Sequence, residues 1–115
     1  MNAKILRFLF WLYTAVVMYF AFTPLGLQTP VSDKVNHFIA FFIYAILLKE
    51  SYNTSYWESF FYSTFFCIFI EAVQYFLPYR SSEYGDVLAG ILGITSGIFM
   101  YFVVKLTYLE LKEEE

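Results

Sequence analysis

The sequence predicts an all-α protein, a bundle of four transmembrane helices. Hydrophobic residues make up 60% of the 115-residue chain and charged residues 15%, against about 45–50% and 25% in soluble domains. A chain this short has too little interior to hide that much apolar surface in water. The apolar residues fall into four runs, at 5–23, 33–48, 57–77 and 85–104, near the ~20 residues that a helix needs to cross a bilayer. The polar residues gather at the ends of those runs rather than alternating along them. A net charge of −3 leaves no basic footprint for nucleic acid. The chain reads as one integral membrane domain, with membrane lipid as its first partner.

The first run follows Lys4 and Arg7 and leads into Thr23-Pro24. A secretory signal also starts with basic residues, but no small-x-small cleavage pattern follows. An uncleaved first span that ends at Pro24 is expected. The segment from Pro24 to Pro30 is rich in turn formers. Ser32 or Asp33 is placed to cap the second helix. That run is short for a span unless the helix starts near Val31, and Lys49-Glu50 closes it. Asn53-Thr54-Ser55 matches a glycosylation sequon, a motif frequent by chance, in a loop placed on the cytoplasmic side. The third run ends at Pro78, and the fourth leads into a charged tail from Lys105 onward. That tail is expected to be solvated and partly disordered, with a frayed helical start. Cys67 is the only cysteine and sits in an apolar run, which excludes an internal disulfide and suits a small core side chain.

Four spans put both termini and the middle loop on one side. That side holds Lys4, Arg7, Lys49, Lys105 and Lys112, and the other holds only Lys34 and Arg80. The positive-inside rule therefore expects a multi-pass protein of the inner (cytoplasmic) membrane with both termini cytoplasmic. Trp57, Tyr52, Tyr56 and Tyr108 suit the inner interface, and Tyr75, Tyr79 and Tyr84 the outer one.

Both polar patches then fall at the outer side. Asp33 and His37, with Lys34 between them, share a helix face by their spacing. Glu71 and Gln74 share a face near the end of the third helix. Arg80 lies in the turn, and Asp86 opens the fourth helix, where the dipole favours a carboxylate. Glu71 lies roughly 9 Å below the helix end at 1.5 Å per residue. A carboxylate at that depth needs a partner. His37, Lys34 and Arg80 are the available ones. The candidate ligand-binding cluster is therefore Asp33, Lys34, His37, Glu71, Gln74, Arg80 and Asp86. The competing interpretation makes Asp33 and Asp86 caps and Glu71 a clamp to Arg80 or Lys34. One His and one Cys are few for a transition-metal set, so neither a metal nor another cofactor is expected. No Ser-His-Asp triad or phosphate-binding Gly loop is present. Ala89, Gly93 and Gly97 form a small-residue stripe on the fourth helix, suited to close packing within the bundle or to a homo-oligomer.

At these residues the chain resembles the VanZ-like family of small membrane proteins. The elements that carry the resemblance are Asp33-Lys34-x-x-His37 with Phe41, Glu71-x-x-Gln74, Arg80, and Asp86-Val87-Leu88-Ala89 with Gly93 and Gly97. Family members usually carry an Asn where this chain has Gly90. The resemblance implies a multi-span inner-membrane protein with its polar motifs toward the cell exterior. The family takes its name from a member linked to low-level resistance to the glycopeptide teicoplanin, and the motifs alone do not transfer that property. Three functions compete. An envelope protein would bind an anionic lipid-linked component through Lys34 and Arg80. A membrane-embedded enzyme would act on a lipid-linked phosphate with His37 or Glu71 as the acid–base group. An assembly partner would dock through the Gly93/Gly97 face.

Overall fold

The computed structural model describes residues 2–23, 33–79 and 84–114, with the side chain of Asp33 outside that description. Within those residues all regular structure is helical: α1 Ala3–Phe22, α2 Asp33–Tyr52, α3 Tyr56–Tyr75 and α4 Tyr84–Glu114.

Local chemistry sets both ends of α1 and α3. The Asn2 side chain accepts the Lys4 backbone N–H at 2.7 Å and so caps α1. Thr23 ends it in an extended conformation, as a residue preceding proline does. Ser55 and Glu58 form a reciprocal capping box on α3. Phe76 caps its far end, two residues before Pro78. The charged tail, expected to fray, instead continues α4 to Glu114. Apart from Thr107 and Tyr108 it is built of Leu, Lys and Glu, all favourable in a helix, and it has no Gly or Pro. At 31 residues α4 is about 46 Å long, which accounts for the 56 Å long axis of the molecule.

The helices run alternately up and down. The Arg7 Nε donates to the Ser51 carbonyl at 3.2 Å and the Tyr13 hydroxyl to that of Ala40 at 2.6 Å, so α1 and α2 are antiparallel. Lys34 lies beside Gly85, Phe38 beside Gly93 and Phe42 beside Gly97, so α2 and α4 are parallel. The most extensive packing is between α2 and α4, and α2 touches all three other helices. A Cβ on Gly93 would collide with the Phe38 carbonyl oxygen, and one on Gly97 would lie 2.7 Å from that of Phe42. The glycine face expected to serve either packing or a second copy is therefore filled by α2 of the same chain. Ala89 is half-buried beside it. A mid-height core of Phe10, Phe41, Tyr44, Ala45, Cys67, Ile70 and Ile94 joins the four helices. Tyr44 stacks on Phe66 with ring centroids 4.7 Å apart.

The outer surface is apolar on every helix. Phe8, Ile39, Phe65 and Phe99 are all exposed, Phe65 by 74%. Thr95 and Thr107, also facing out, donate their hydroxyls to the carbonyls of Ile91 and Val103 at 2.9 Å, which leaves no donor bare toward an apolar medium. Two helices, α1 and α4, are long and apolar enough to cross a bilayer, with mean hydropathy 1.8 and 2.2. Both are mostly unburied, unlike the core helix of a soluble protein. The helices α2 and α3 have the length, but their charged residues, tyrosines and hydroxyls lower their hydropathy. At one end of the bundle the Arg7 guanidinium lies over Tyr52 and the Lys49 ammonium over Tyr56 and Tyr101. Desolvation pulls the Lys49 ammonium below its ordinary lysine value, and the nearby Lys105 adds to this.

The opposite end ties α1 to α3. The Gln74 amide donates to the Ala21 carbonyl at 2.9 Å and the Tyr79 hydroxyl to that of Phe22 at 2.6 Å. Both carbonyls belong to the last turn of α1 and have no partner within that helix.

Two outcomes test this packing. Gly93→Ala should cost about 1–3 kcal/mol of stability because backbone, not a movable side chain, blocks the new methyl, whereas Leu88→Ala on the exposed face should stay within about 0.5 kcal/mol. Thermal unfolding in detergent measures both. Gln74→Leu should cost about 1–3 kcal/mol by leaving the Ala21 carbonyl unpaired, and hydrogen exchange should then speed up in the last turn of α1.

Candidate functional site

The end of the bundle opposite Lys49 collects the start of α2, the end of α3 and the start of α4. His37 lies in the second turn of α2, Glu71 in the last turns of α3, and Asp86 in the first turn of α4. The His37 Nε2 lies 3.4 Å from the Glu71 Oε2. A ligand atom from each of His37, Glu71 and Asp86 lies within 4.8 Å of the other two. Glu71 is 6% exposed and Asp86 4%, while the His37 side chain retains 17%. Two carboxylates have thus been withdrawn from solvent side by side. That arrangement is unfavourable unless positive charge or hydrogen-bond donors offset it.

Several features hold the three groups in place. The helix dipole favours a carboxylate in the first turn of α4, where Asp86 sits. The glycine contacts with Phe38 and Phe42 bring α2 onto α4 and carry His37 toward Asp86. His37 leans on Phe41, with ring centroids 6.4 Å apart, and Phe41 is a core residue. Lys34 is exposed, and its stem crosses Gly85, where a Cβ would come 2.5 Å from its Cε. Gly85, the residue before Asp86 in the chain, leaves room for that stem.

Of the seven residues expected to form the cluster, the structure therefore brings His37, Glu71 and Asp86 together and sets Lys34 at their edge. Gln74 is nearby, but its amide is committed to Ala21 on α1, a structural use. Arg80 and the side chain of Asp33 lie outside the described residues, as do Ser81 and Ser82.

The sequence did not reveal the cleft that meets this cluster. A cavity of about 310 Å³ lies among α1, α2 and α3, with Val16, Val17 and Phe20 on one wall and Ile39 and Ile70 on others. His37, Asn36 and Gln74 also line it. Val16 and Ile39 are themselves exposed, so the cleft opens on the apolar flank of the molecule. Its α1 wall is part of an unbroken apolar run, and such a run carries no signal for which residues face a gap.

Chemically, the cluster offers an imidazole, two carboxylates, and a lysine at the rim. It also offers one imidazole nitrogen and two carboxylate oxygens to a single cation. Counting histidines and cysteines overlooks a donor set of this kind, because two of its members are carboxylates on separate helices. Cys67, one turn from Glu71 on α3, is turned toward the Val87 carbonyl at 3.9 Å.

Neither a curated protein nor a solved structure matches the chain. The model of one family, described as VanZ/LLP1, matches residues 27–105. That segment contains α2, α3, nearly all of the apolar part of α4, and every residue of the polar cluster. The match spans more than half of the sequence, and the chain belongs to the VanZ/LLP1 family.

Proposed function

We propose that this protein crosses the inner membrane four times, with both termini in the cytoplasm, and binds an anionic lipid-linked component of the cell envelope at the outer end of its bundle. The observation that carries the binding proposal is the buried convergence of His37, Glu71 and Asp86 beside a cleft that opens on the apolar flank. An acyl or prenyl chain would lie along Val16, Val17 and Phe20. Its charged head would meet Lys34, and Arg80 as the sequence orders it, where arginine gives a two-pronged contact to phosphate. The apolar exposure of all four helices supports burial of α2 and α3 in lipid together with α1 and α4. The tyrosine- and lysine-rich end around Arg7, Lys49 and Tyr56 supports a cytoplasmic placement of that end. Glycopeptide resistance is one envelope property within such a role, and a phenotype measurement rather than the site geometry decides it.

A second reading has its own observation. The 3.4 Å approach of His37 to Glu71 is suited to an acid–base pair, and an enzyme acting on a lipid-linked phosphate would use it.

Lipids that co-purify from the native membrane test the binding. An anionic lipid-linked species should be enriched over the bulk lipid and lost in Lys34→Ala and Arg80→Ala. A lipid profile identical to the bulk membrane for the native chain would refute it. Topology is tested by cysteine labelling in a Cys67→Ser background: Tyr79→Cys should react with an impermeant reagent in intact cells and Asn53→Cys only after lysis.

A further inference from the structure

The geometry points to a divalent transition-metal site formed by His37, Glu71 and Asp86. It deepens the proposal above and rests on the cluster being a site rather than a clamp. The three donors come from three different helices, and their ligand atoms lie within 4.8 Å of one another. Ligands about 2.0–2.2 Å from a tetrahedral zinc are about 3.3–3.6 Å apart. The His37–Glu71 distance of 3.4 Å already matches such an edge. Side-chain rotation of Asp86 in the first turn of α4 would supply the remainder.

Charge supports the same assignment. Glu71 and Asp86 are both less than a tenth exposed, and in their ligating form the pair brings two negative charges. One divalent cation would neutralise both and leave the imidazole neutral, the form that ligates metal. The donor set selects the ion. An imidazole nitrogen with two carboxylate oxygens suits Zn²⁺ or Mn²⁺. Mg²⁺ favours oxygen ligands and retains its waters, and monovalent copper wants sulfur, which here is turned toward Val87.

The cleft is the second, independent feature. Three protein ligands leave a coordination position open, as catalytic and ligand-binding zinc sites do. Of the three donors His37 lines the cleft of about 310 Å³, and an exogenous oxygen ligand would approach along that side. A phosphate or pyrophosphate head group on a chain lying in the cleft has the matching chemistry: anionic oxygens for the ion and an apolar tail for Val16 and Phe20. The metal would then join the head-group contacts already proposed for Lys34.

The test uses the full chain in lipid nanodiscs, with any affinity tag removed, stripped with chelator and offered Zn²⁺, Mn²⁺ or Mg²⁺ alone. Bound metal is counted by elemental mass spectrometry after desalting, and thermal unfolding is read on the same samples. A single Zn²⁺ or Mn²⁺ should be retained and should raise the unfolding midpoint, with Mg²⁺ doing neither. Glu71→Gln, Asp86→Asn and His37→Ala should each weaken binding by at least about 100-fold, beyond the loss that follows from removing an outer-shell contact. Circular dichroism confirms that each variant is folded. A folded native chain that retains no Zn²⁺ or Mn²⁺ overturns the inference, whatever the variants do. So does retention unchanged in all three variants. Lipid mass spectrometry on the same samples separates the two proposals. Lipid kept without metal overturns the metal site alone, and metal kept without lipid overturns the lipid-binding proposal alone.

Discussion

The polar end of this molecule depends on how closely α2 lies on α4. Gly93 and Gly97 admit the α2 backbone to a distance that no side chain would allow. In lipid no hydrophobic force drives helices together, so such contacts form where small residues let dispersion act at short range. The parallel course of the two helices then determines what meets at their shared end. His37 is next to Phe38 in the chain, and one of its ring nitrogens lies within 4.8 Å of a carboxylate oxygen of Asp86 at the start of α4. A wider spacing would leave His37 in reach of α3 alone.

Electrostatics explains why the charges lie at one end rather than along the bundle. Glu71 and Asp86 are buried among helices whose outer faces are apolar, and a carboxylate there is stable only with close compensation. His37 supplies part of it at 3.4 Å, and Lys34 is held nearby over Gly85. Toward the other end the interior is Phe41, Ile70, Ala45 and Ile94, each 2% exposed or less. With Tyr44 and Cys67 this layer holds no carboxylate or ammonium group, and the cluster meets the lateral cleft through His37. A one-sided site of this kind suits binding or chemistry at a single interface better than transport.

The helical fold was readable because it rests on local signals: four apolar runs, with Pro24 and Pro78 after the first and third. The tail misled, because charge density suggested fraying while the residue types favour helix. The convergence of Glu71, His37 and Asp86 was readable from depth and spacing, since a carboxylate well inside an apolar run needs company. Gln74 was ambiguous for a physical reason. An amide near a helix end serves equally well as a ligand contact or as a partner for a stranded carbonyl, and only the position of Ala21 decides between them. The cleft was invisible because it is a gap between side chains of ordinary apolar type.

Gly90 connects these points. The family resemblance places an amide side chain at this position in most relatives, one turn below Asp86. Here the space that a side chain at Gly90 would enter is taken by the Cys67 thiol and the edge of Phe41. The cluster therefore rests on sulfur and an aromatic ring instead of on a hydrogen-bonding group. Among the described contacts, the polar side of the cluster is His37, 3.4 Å from Glu71. An apolar floor also lowers the local dielectric under two carboxylates, which strengthens every charge interaction made there.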